Sequence, residues 1–226
     1  MYSNIRKYYF YWLPVIFFSV VLITSESESG DFTIARLKYS GGGDWYSNPT
    51  SLPNLLEFLR ANTSLVPEKI PAVVEVGSKE IFNYPYLYLN GHGRIEFSDA
   101  EALNLREYLL AGGFLHADDN YGMDKYFRQE MKKVFPEEEL VEIPFNHPIY
   151  NIHFKFPIGL PKIHEHDGLP AQGFGIIRNG RLMVFYSYQS DLGDGWEDAD
   201  VHNDPPEKHQ AALKMGVNII VYAMTH

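Results

Sequence analysis

The sequence predicts an α/β fold in which helices cover both faces of a mostly parallel sheet and an antiparallel hairpin extends that sheet. Three observations lead to this prediction. Short apolar runs of strand length alternate along the chain with runs of leucine at helical spacing. Residues 112–120 pass from a glycine pair through a short apolar strand into two aspartates and an asparagine. The dipeptide Asn179-Gly180 separates two apolar runs, which is a strong hairpin signal.

The strands are predicted where short apolar or alternating runs are bounded by turn residues. The first alternates as a half-buried strand does, and the third ends in Asn90-Gly91-His92-Gly93. Residues 81–85 are expected to be irregular, and so is the proline-rich segment 146–162. The predicted strands are residues 32–39, 72–76, 86–89, 114–117, 174–177 and 182–188, with a weaker signal at 140–144.

The helices are predicted from leucine spacing and from their start and stop signals. Pro53 falls in a first helical turn, where its missing N–H does no harm. Ser98 and Glu101 have the spacing of a capping box, and Gly112 ends the helix that they open. The predicted helices are residues 50–62, 98–112 and 123–135, and a last helix that starts at Pro205 or Pro206.

Composition limits the class of protein. With 226 residues, 45% hydrophobic and 15% aromatic, the chain has enough apolar material for one domain with a sizeable core, predicted over residues 31–226. The formal net charge of -10 argues against nucleic acid or an anionic membrane surface as the main partner. The absence of cysteine excludes disulfides, thiolate metal sites and a cysteine nucleophile.

The first 30 residues have the layout of a secretory signal. Arg6 and Lys7 precede an apolar run at residues 8–24, and a polar Ser/Glu segment follows to residue 30. The run is short for a transmembrane helix, Pro14 interrupts it, and no clean small-x-small cleavage site is visible. We expect a cleaved signal peptide or a retained anchor with a short polar spacer, in preference to a buried helix. The protein is therefore predicted to be exported, periplasmic or associated with the cell envelope, and to meet the membrane only through an uncleaved segment.

Three predicted strands end in polar clusters, at residues 90–92, 116–120 and 189–191. Ligands of parallel α/β sheets bind in the crevice beyond the carboxyl ends of the strands, so we expect these clusters to converge on one site. The alternative is a polar loop in which an aspartate caps the next helix. The candidate ligand-binding residues are Asn90, His92, His116, Asp118, Asp119, Asn120, Tyr121 and Asp191.

The adjacent aspartates Asp118 and Asp119 are predicted to have different roles. Neighbouring side chains on a strand point to opposite faces of the sheet. Asp119 precedes the next helix closely enough to accept its N–H groups as a cap does, which leaves Asp118 to face the crevice beside His92. If so, replacing Asp118 would leave stability unchanged, whereas replacing Asp119 would lower it.

Two segments contain residue types that bind metal ions. Residues 191–200 are rich in carboxylates, the ligands of hard cations, but they do not fit the EF-hand spacing and are interpreted as a solvated acidic loop anchored by Trp196. His164 and His166 would point the same way on an extended strand. A third ligand would have to come from elsewhere, such as His147, His153 or His202. We therefore expect no strong zinc site and no cofactor.

Other catalytic signals are weak. Gly41-Gly42-Gly43 lacks the spacing of a dinucleotide or phosphate loop and is interpreted as a flexible turn. The chain contains no Gly-x-Ser-x-Gly nucleophile elbow. Ser187 and Ser190 lie at a predicted strand end, but nothing in the sequence pairs either of them with a base.

Four motifs in order resemble domain-of-unknown-function family 4159. They are Asn-Tyr-Pro-Tyr-Leu-Tyr-Leu-Asn-Gly-His-Gly at 83–93, the stretch 105–124, Phe-Asn-His-Pro-Ile-Tyr at 145–150, and Tyr-Gln-Ser-Asp-Leu-Gly-Asp-Gly-Trp-Glu-Asp at 188–198. The resemblance runs from about residue 32 to the C-terminus. It implies a bacterial protein, often exported, with a flavodoxin-like three-layer sandwich of the class I glutamine amidotransferase-like type, and it implies no activity. Amidotransferases use a Cys–His–Glu triad, so glutamine hydrolysis by that mechanism is excluded here.

Two functions remain open. The first is a non-catalytic binding or interaction module of the cell envelope, in which His92, Asp118, Asp119 and Tyr121 hold a polar ligand such as a sugar, a peptide or a loop of a partner protein. The second is a hydrolase with Asp118 or Asp119 as general base and His92 or His116 as acid or metal ligand. A structural role in a membrane-associated complex is a third alternative.

Overall fold

The computed structural model describes residues 30–226, so the predicted signal or anchor lies outside the described residues except for Gly30. Seven strands form a single sheet in the described part of the chain. They are β1 (Ala35–Lys38), β2 (Ala72–Glu75), β3 (Tyr86–Gly91), β4 (Phe114–Asp119), β5 (Val141–Glu142), β6 (Gln172–Arg178) and β7 (Arg181–Tyr188). Their spatial order is β2-β1-β3-β4-β7-β6-β5.

The sheet confirms the predicted fold class. Strands β2, β1, β3, β4 and β7 are parallel, β6 is antiparallel to β7, and β5 is antiparallel to β6. The hairpin turns at Asn179 and Gly180, whose φ angles of 52° and 79° are those of the tight turn that matches strand twist. The first strand is shorter than predicted and begins at Ala35. Before it, Phe32 forms an isolated bridge with Pro67, and the Ile34 carbonyl accepts the Ala72 N–H at 2.9 Å.

Six helices complete the described fold. The capping box is confirmed: the Ser98 hydroxyl accepts the Glu101 N–H, and the Glu101 carboxylate accepts the Ser98 N–H. Residues 81–85 are less irregular than predicted, since Lys79–Asn83 forms a 3-10 turn. The helices are α1 (Ser51–Asn62), α2 (Asp99–Leu110), α3 (Asp124–Val134), α4 (Leu192–Gly195), α5 (Ala199–His202) and α6 (Pro206–Thr225), and a second 3-10 turn spans Pro148–Tyr150. Within residues 30–226, no helix has the length and apolar character needed to cross a membrane.

Two apolar cores lie on opposite faces of the sheet. One packs α2 and α3 against the sheet through residues such as Leu105 and Phe127. The other packs α1, α4 and α6 against it around Trp196, whose indole N–H donates to the Ala212 carbonyl at 2.8 Å. This arrangement is a three-layer α/β sandwich of flavodoxin-like type, as predicted. Since both faces are covered, the carboxyl edge of the parallel strands is where the chain exposes converging polar groups.

A buried arginine fixes the loop that follows β1. Arg36 is 6% exposed, and its guanidinium donates to the backbone carbonyls of Trp45, Ser47 and Asn48 and to the Asn90 carboxamide. Burial lowers the pKa of Arg36, but a guanidinium remains charged at neutral pH. One cation therefore holds residues 45–48 against β3 and places Asn48 at the carboxyl edge of the sheet.

The acidic segment 191–200 is not the solvated loop that the sequence indicates. It contains α4 and the first half of α5, and Asp191, Asp194 and Glu197 have side chains that are 0%, 12% and 6% exposed. Trp196 is the hydrophobic anchor, as predicted. The difference arises because Trp196 packs residues 191–197 against α6, so the carboxylates of Asp191, Asp194 and Glu197 are largely buried and must find polar partners, whereas residues 198–200 are exposed.

Candidate functional site

The carboxylate of Asp118 joins the end of β4 to the start of α4. One oxygen accepts the Gly193 N–H at 2.6 Å, and the other accepts the Ser187 hydroxyl at 2.5 Å and the Leu192 N–H at 3.3 Å. Asp118 is fully buried. Burial raises its pKa to about 8, although the hydrogen bonds from Ser187 and Gly193 act in the opposite direction. Asp118 is therefore a structural junction that positions the acidic segment.

Asp118 and Asp119 have different roles, and only that of Asp119 agrees with the prediction. Asp119 accepts the N–H groups of Tyr121 at 3.1 Å and Met123 at 3.3 Å, which confirms it as the residue that satisfies backbone donors before α3. The prediction that Asp118 faces the crevice beside His92 is wrong. Among the described residues no hydrogen bond joins the two, because the α4 backbone covers Asp118.

His116 and Ser187 are within hydrogen-bond distance but are sealed in the core. The His116 ring nitrogens lie 2.8 Å from the Tyr86 hydroxyl and 2.9 Å from the Ser187 hydroxyl, and both residues are fully buried. The Asp118 carboxylate contacts the serine and not the histidine. Burial lowers the pKa of His116 to about 3. No substrate can reach the buried Ser187 hydroxyl. In a catalytic triad the carboxylate would contact His116, whereas Asp118 contacts Ser187, so the three residues do not form such a triad.

Asn90 and His92, the candidates on β3, belong to another network. The Asn90 carboxamide accepts from Arg36 at 2.8 Å and donates to the Ser47 hydroxyl at 2.8 Å. The half-exposed His92 ring lies 3.0 Å from an Asp44 carboxylate oxygen. The structure therefore brings Asp118, Asn120 and Asp191 together at the carboxyl edge but leaves these two residues beside the loop that follows β1.

A cluster of carboxylates and imidazoles forms beyond the ends of β4 and β7; we call it the His–Asp cluster. His164 Nδ1 lies 3.1 Å from Asp194 and 3.5 Å from Asp191, and His166 Nε2 contacts Asp191 closely. The Ile163 N–H, which donates to the Ser190 carbonyl at 2.9 Å, docks this histidine segment on the end of β7. The members are His164, His166, His202, Asp191, Asp194, Glu197 and Asp204.

The electrostatics of the His–Asp cluster couple its members strongly. Hydrogen bonds that His164 donates to the carboxylates of Asp191 and Asp194 raise its pKa to about 10, against the effect of burial. Burial alone would raise the pKa of Asp194, but hydrogen bonds from His164 and Asn48 outweigh it and the pKa is lowered. The amides of Asn48 and Asn120 donate to the same Asp194 oxygen at 2.6 Å and 2.7 Å. Asp194 is therefore held as an anion with one oxygen already occupied.

Two buried oxygens of this region have no hydrogen-bond partner among the described residues: Oδ1 of Asp191 and Oδ1 of Asn120. Both residues are almost completely buried, at 0% and 1% exposure. Buried polar atoms are nearly always satisfied, so these two mark a place where the folded chain leaves acceptors free. Asp191 also has a positive φ of 58°, which is uncommon for a residue other than glycine.

Beside the cluster lies a depression that we call the Tyr121 crevice, with a volume of about 320 Å³. The Tyr121 ring, 44% exposed, stacks on the His166 ring at 4.6 Å between centroids, and its hydroxyl donates to Asp167 at 3.0 Å. A larger groove of about 560 Å³ beside α1 contains no histidine and no buried carboxylate. The crevice is lined by Asp119, Tyr121, Gly122, Asp124, Lys125, Asp167, Tyr188 and Gln189.

Several members of these sites escaped the sequence analysis. Asp194 and Glu197 were assigned to a solvated loop, and Asp204 and Asn48 were not singled out. The sequence analysis named His202 as one possible source of a further ligand for His164, and the structure brings one donor atom each of His164, Asp194 and His202 within 4.8 Å of one another. The signal was present in the carboxylates that follow β7 directly, at the sheet edge where ligands bind.

A comparison of the sequence with protein-family models finds a match. The model of a family described as "Domain of unknown function (DUF4159)" matches residues 33–224. This match covers nearly the whole described structure, including the His–Asp cluster and the Tyr121 crevice. No curated protein matches the sequence.

The geometry predicts opposite behaviour from the sequence-based expectation when Asp118 is replaced. Asp118→Ala should lower the free energy of unfolding by about 3 kcal/mol, because it leaves buried N–H donors of α4 unsatisfied. Asp119→Ala, the matched control, should lower it by about 1 kcal/mol, as loss of a cap does. Chemical denaturation of both variants measures the difference. Equal losses would contradict the junction role.

The buried His116 predicts a loss of stability in acid. Its pKa is about 3 in the folded protein and about 6.5 when exposed, so the unfolded chain binds more protons between these values. Stability should therefore fall as pH drops from about 6.5 towards 3. The His116→Gln variant lacks this pH-dependent contribution to stability. The difference between the unfolding midpoints of wild type and variant should therefore become smaller as the pH falls. A pH dependence of stability in His116→Gln that equals that of the wild type would refute the assignment.

Proposed function

The chain belongs to the DUF4159 family, a domain of unknown function, and from that premise we propose that it is a non-catalytic binding module whose polar ligand enters the Tyr121 crevice. The backbone of Tyr121 carries the proposal. Its φ of 102° is strained for an aromatic residue, and the same edge holds Gln189 and Asp191 at positive φ. Strain of this kind persists where the surrounding structure imposes it, and it concentrates at ligand sites.

The lining of the Tyr121 crevice favours a hydroxyl-rich ligand such as a sugar. Asp119, Asp124 and Asp167 supply carboxylate oxygens, which accept hydrogen bonds from hydroxyl groups. Tyr121 presents an exposed ring, and aromatic faces pack well against the C–H surface of such ligands. A few polar groups beside an aromatic wall is the usual composition of a small-ligand site. The Gln189 amide, which donates to Asp167 at 3.4 Å, holds that carboxylate in place.

The geometry gives less support to a hydrolase that uses the predicted carboxylates and histidines. Asp118 and His116 are fully buried, and one oxygen of Asp119 is occupied by backbone N–H groups. His92 pairs with Asp44 in a different network. The residues proposed for general acid–base catalysis are therefore separated from one another or closed to a substrate.

We further propose that the domain acts outside the cytoplasm, in the periplasm or at the cell envelope. The support is the order of charged, apolar and polar segments in residues 1–30. An envelope location would bring the Tyr121 crevice into contact with extracytoplasmic sugars, peptides or proteins.

Removing the Tyr121 ring should abolish ligand binding without unfolding the protein. We expect one or more soluble oligosaccharides, screened by saturation-transfer NMR, to bind the wild type, and Tyr121→Ala to weaken that binding at least about tenfold. Phe82→Ala is the matched control, since Phe82 is 42% exposed and precedes β3 at the opposite edge of the sheet. Equal binding by Tyr121→Ala and wild type would reject the crevice. If the wild type bound cationic peptides and no sugar, the ligand of the crevice would be assigned to peptides instead of sugars.

Export predicts a mature N-terminus near residues 25–31 or a membrane-associated full-length chain. N-terminal sequencing of the protein from its native host, combined with cell fractionation, tests this prediction. Full-length protein in the soluble cytoplasmic fraction would contradict it.

A further inference from the structure

We propose that His164, Asp194 and His202 form a binding site for one divalent transition-metal ion. The proposal concerns the His–Asp cluster and is independent of the ligand of the Tyr121 crevice. It starts from geometry: one donor atom from each of the three residues lies within 4.8 Å of the other two. His164 Nδ1 and His202 Nε2 lie 3.1 Å and 3.9 Å from the same oxygen, Asp194 Oδ2.

The surroundings orient each of the three donors. The second oxygen of Asp194 receives the amides of Asn48 and Asn120, which leaves Oδ2 turned towards the histidines. The far nitrogen of His164, Nε2, lies 3.2 Å from Asp204. A metal-bound histidine usually donates its other N–H to a carboxylate, which fixes the ring and increases its basicity. His164 already has such a partner on the side away from the proposed ion.

The charge of the cluster favours a cation. Asp191, Asp194, Glu197 and Asp204 have side chains no more than 12% exposed. Carboxylates removed from water require charged or hydrogen-bonding partners, and in the described part of the chain the side chains that contact these four include the imidazoles of His164, His166 and His202. A divalent ion placed between His164, Asp194 and His202 would neutralise this excess of negative charge.

The free oxygens of Asp191 and Asn120 provide independent evidence for a missing ligand. The Asn120 carboxamide contacts Asp194 through its nitrogen, and the Asp191 carboxylate lies 3.5 Å from His164 through its other oxygen. The unpartnered atoms therefore belong to side chains that touch two of the three donors. Three protein ligands leave a coordination position for water, and a bound water would donate to buried acceptors of this kind.

The donor set identifies the class of metal. Two imidazoles and one carboxylate suit zinc, iron, cobalt or nickel, whereas calcium and magnesium prefer oxygen ligands only. A hard cation such as calcium is therefore disfavoured at this site. Two of its three donor atoms are the imidazole nitrogens of His164 and His202, and only Asp194 offers an oxygen. His166 is not a member of it; its ring contacts Asp191 and stacks on Tyr121.

Zinc titration of chelator-treated full-length protein without a histidine tag tests the site. We expect one zinc ion per chain by elemental analysis after dialysis, a rise in unfolding midpoint with added zinc, and no rise with calcium at the same concentration. Cobalt substituted for zinc should give visible absorption bands of nitrogen and oxygen coordination. Each readout is made without any sugar or peptide, so it is independent of the function of the Tyr121 crevice.

Two variants separate the metal site from a simple hydrogen-bonded cluster. His202→Ala, at a partly exposed position on the short α5, should fold and should weaken zinc binding by about 100-fold. His92→Ala is the matched control, because His92 also pairs with an aspartate at the carboxyl edge. Substoichiometric zinc in the wild type, or equal zinc affinity in His202→Ala and wild type, would overturn the proposal. If His202→Ala fails to fold, His202→Gln gives the same comparison.

Discussion

The buried carboxylate of Asp118 is the constraint on which the carboxyl edge of this sheet depends. It lies at the end of β4, in the middle of the sheet, and accepts N–H groups from the first turn of α4. That turn contains Asp194 and follows Asp191 directly. The position of the His–Asp cluster relative to the sheet is therefore set by one aspartate that takes no part in the cluster itself. Burial raises the pKa of Asp118 to about 8, so the four donors around it offset only part of the cost of burying its charge.

Opposite charges organise the two halves of this edge. On the β1 and β3 side, Arg36 is a buried cation satisfied by neutral carbonyls and a carboxamide. On the β4 and β7 side, four carboxylates are partly or fully buried. The loop 45–48 spans the two, because Arg36 binds the Asn48 carbonyl while the Asn48 side chain donates to Asp194. The neutral amide groups of Asn48 therefore lie between Arg36 and Asp194.

Sequence periodicity predicted most of the fold, because the patterns that define it are local. Leucine spacing, the Ser98–Glu101 capping box and the Asn179-Gly180 turn each act over a few residues, and each is confirmed. The site was harder to predict, since its partners are far apart in the chain. Asp118 was expected to face the crevice beside His92, but the Gly193 N–H that covers it lies 75 residues away in the sequence. The acidic segment was interpreted as solvated because its charged residues are visible within a few positions of the sequence. The contact that buries it, between Trp196 and α6, joins residues that are distant in the sequence. That Asp119 accepts backbone N–H groups near the start of α3 could be predicted, because its donors, Tyr121 and Met123, follow within four residues.

The His–Asp cluster and the Tyr121 crevice share one carboxylate. Oδ2 of Asp191 contacts His166 and lies 3.5 Å from His164, while His166 stacks on Tyr121. A change of charge at His164 therefore alters the field at Asp191, and Asp191 in turn holds the ring against which Tyr121 packs. Short-range coupling of this kind needs no large motion, because the groups are in contact and partly shielded from water. Asp191 lies three residues after the end of β7, between the two histidines that it contacts. The His–Asp cluster and the Tyr121 crevice therefore adjoin at one buried side chain.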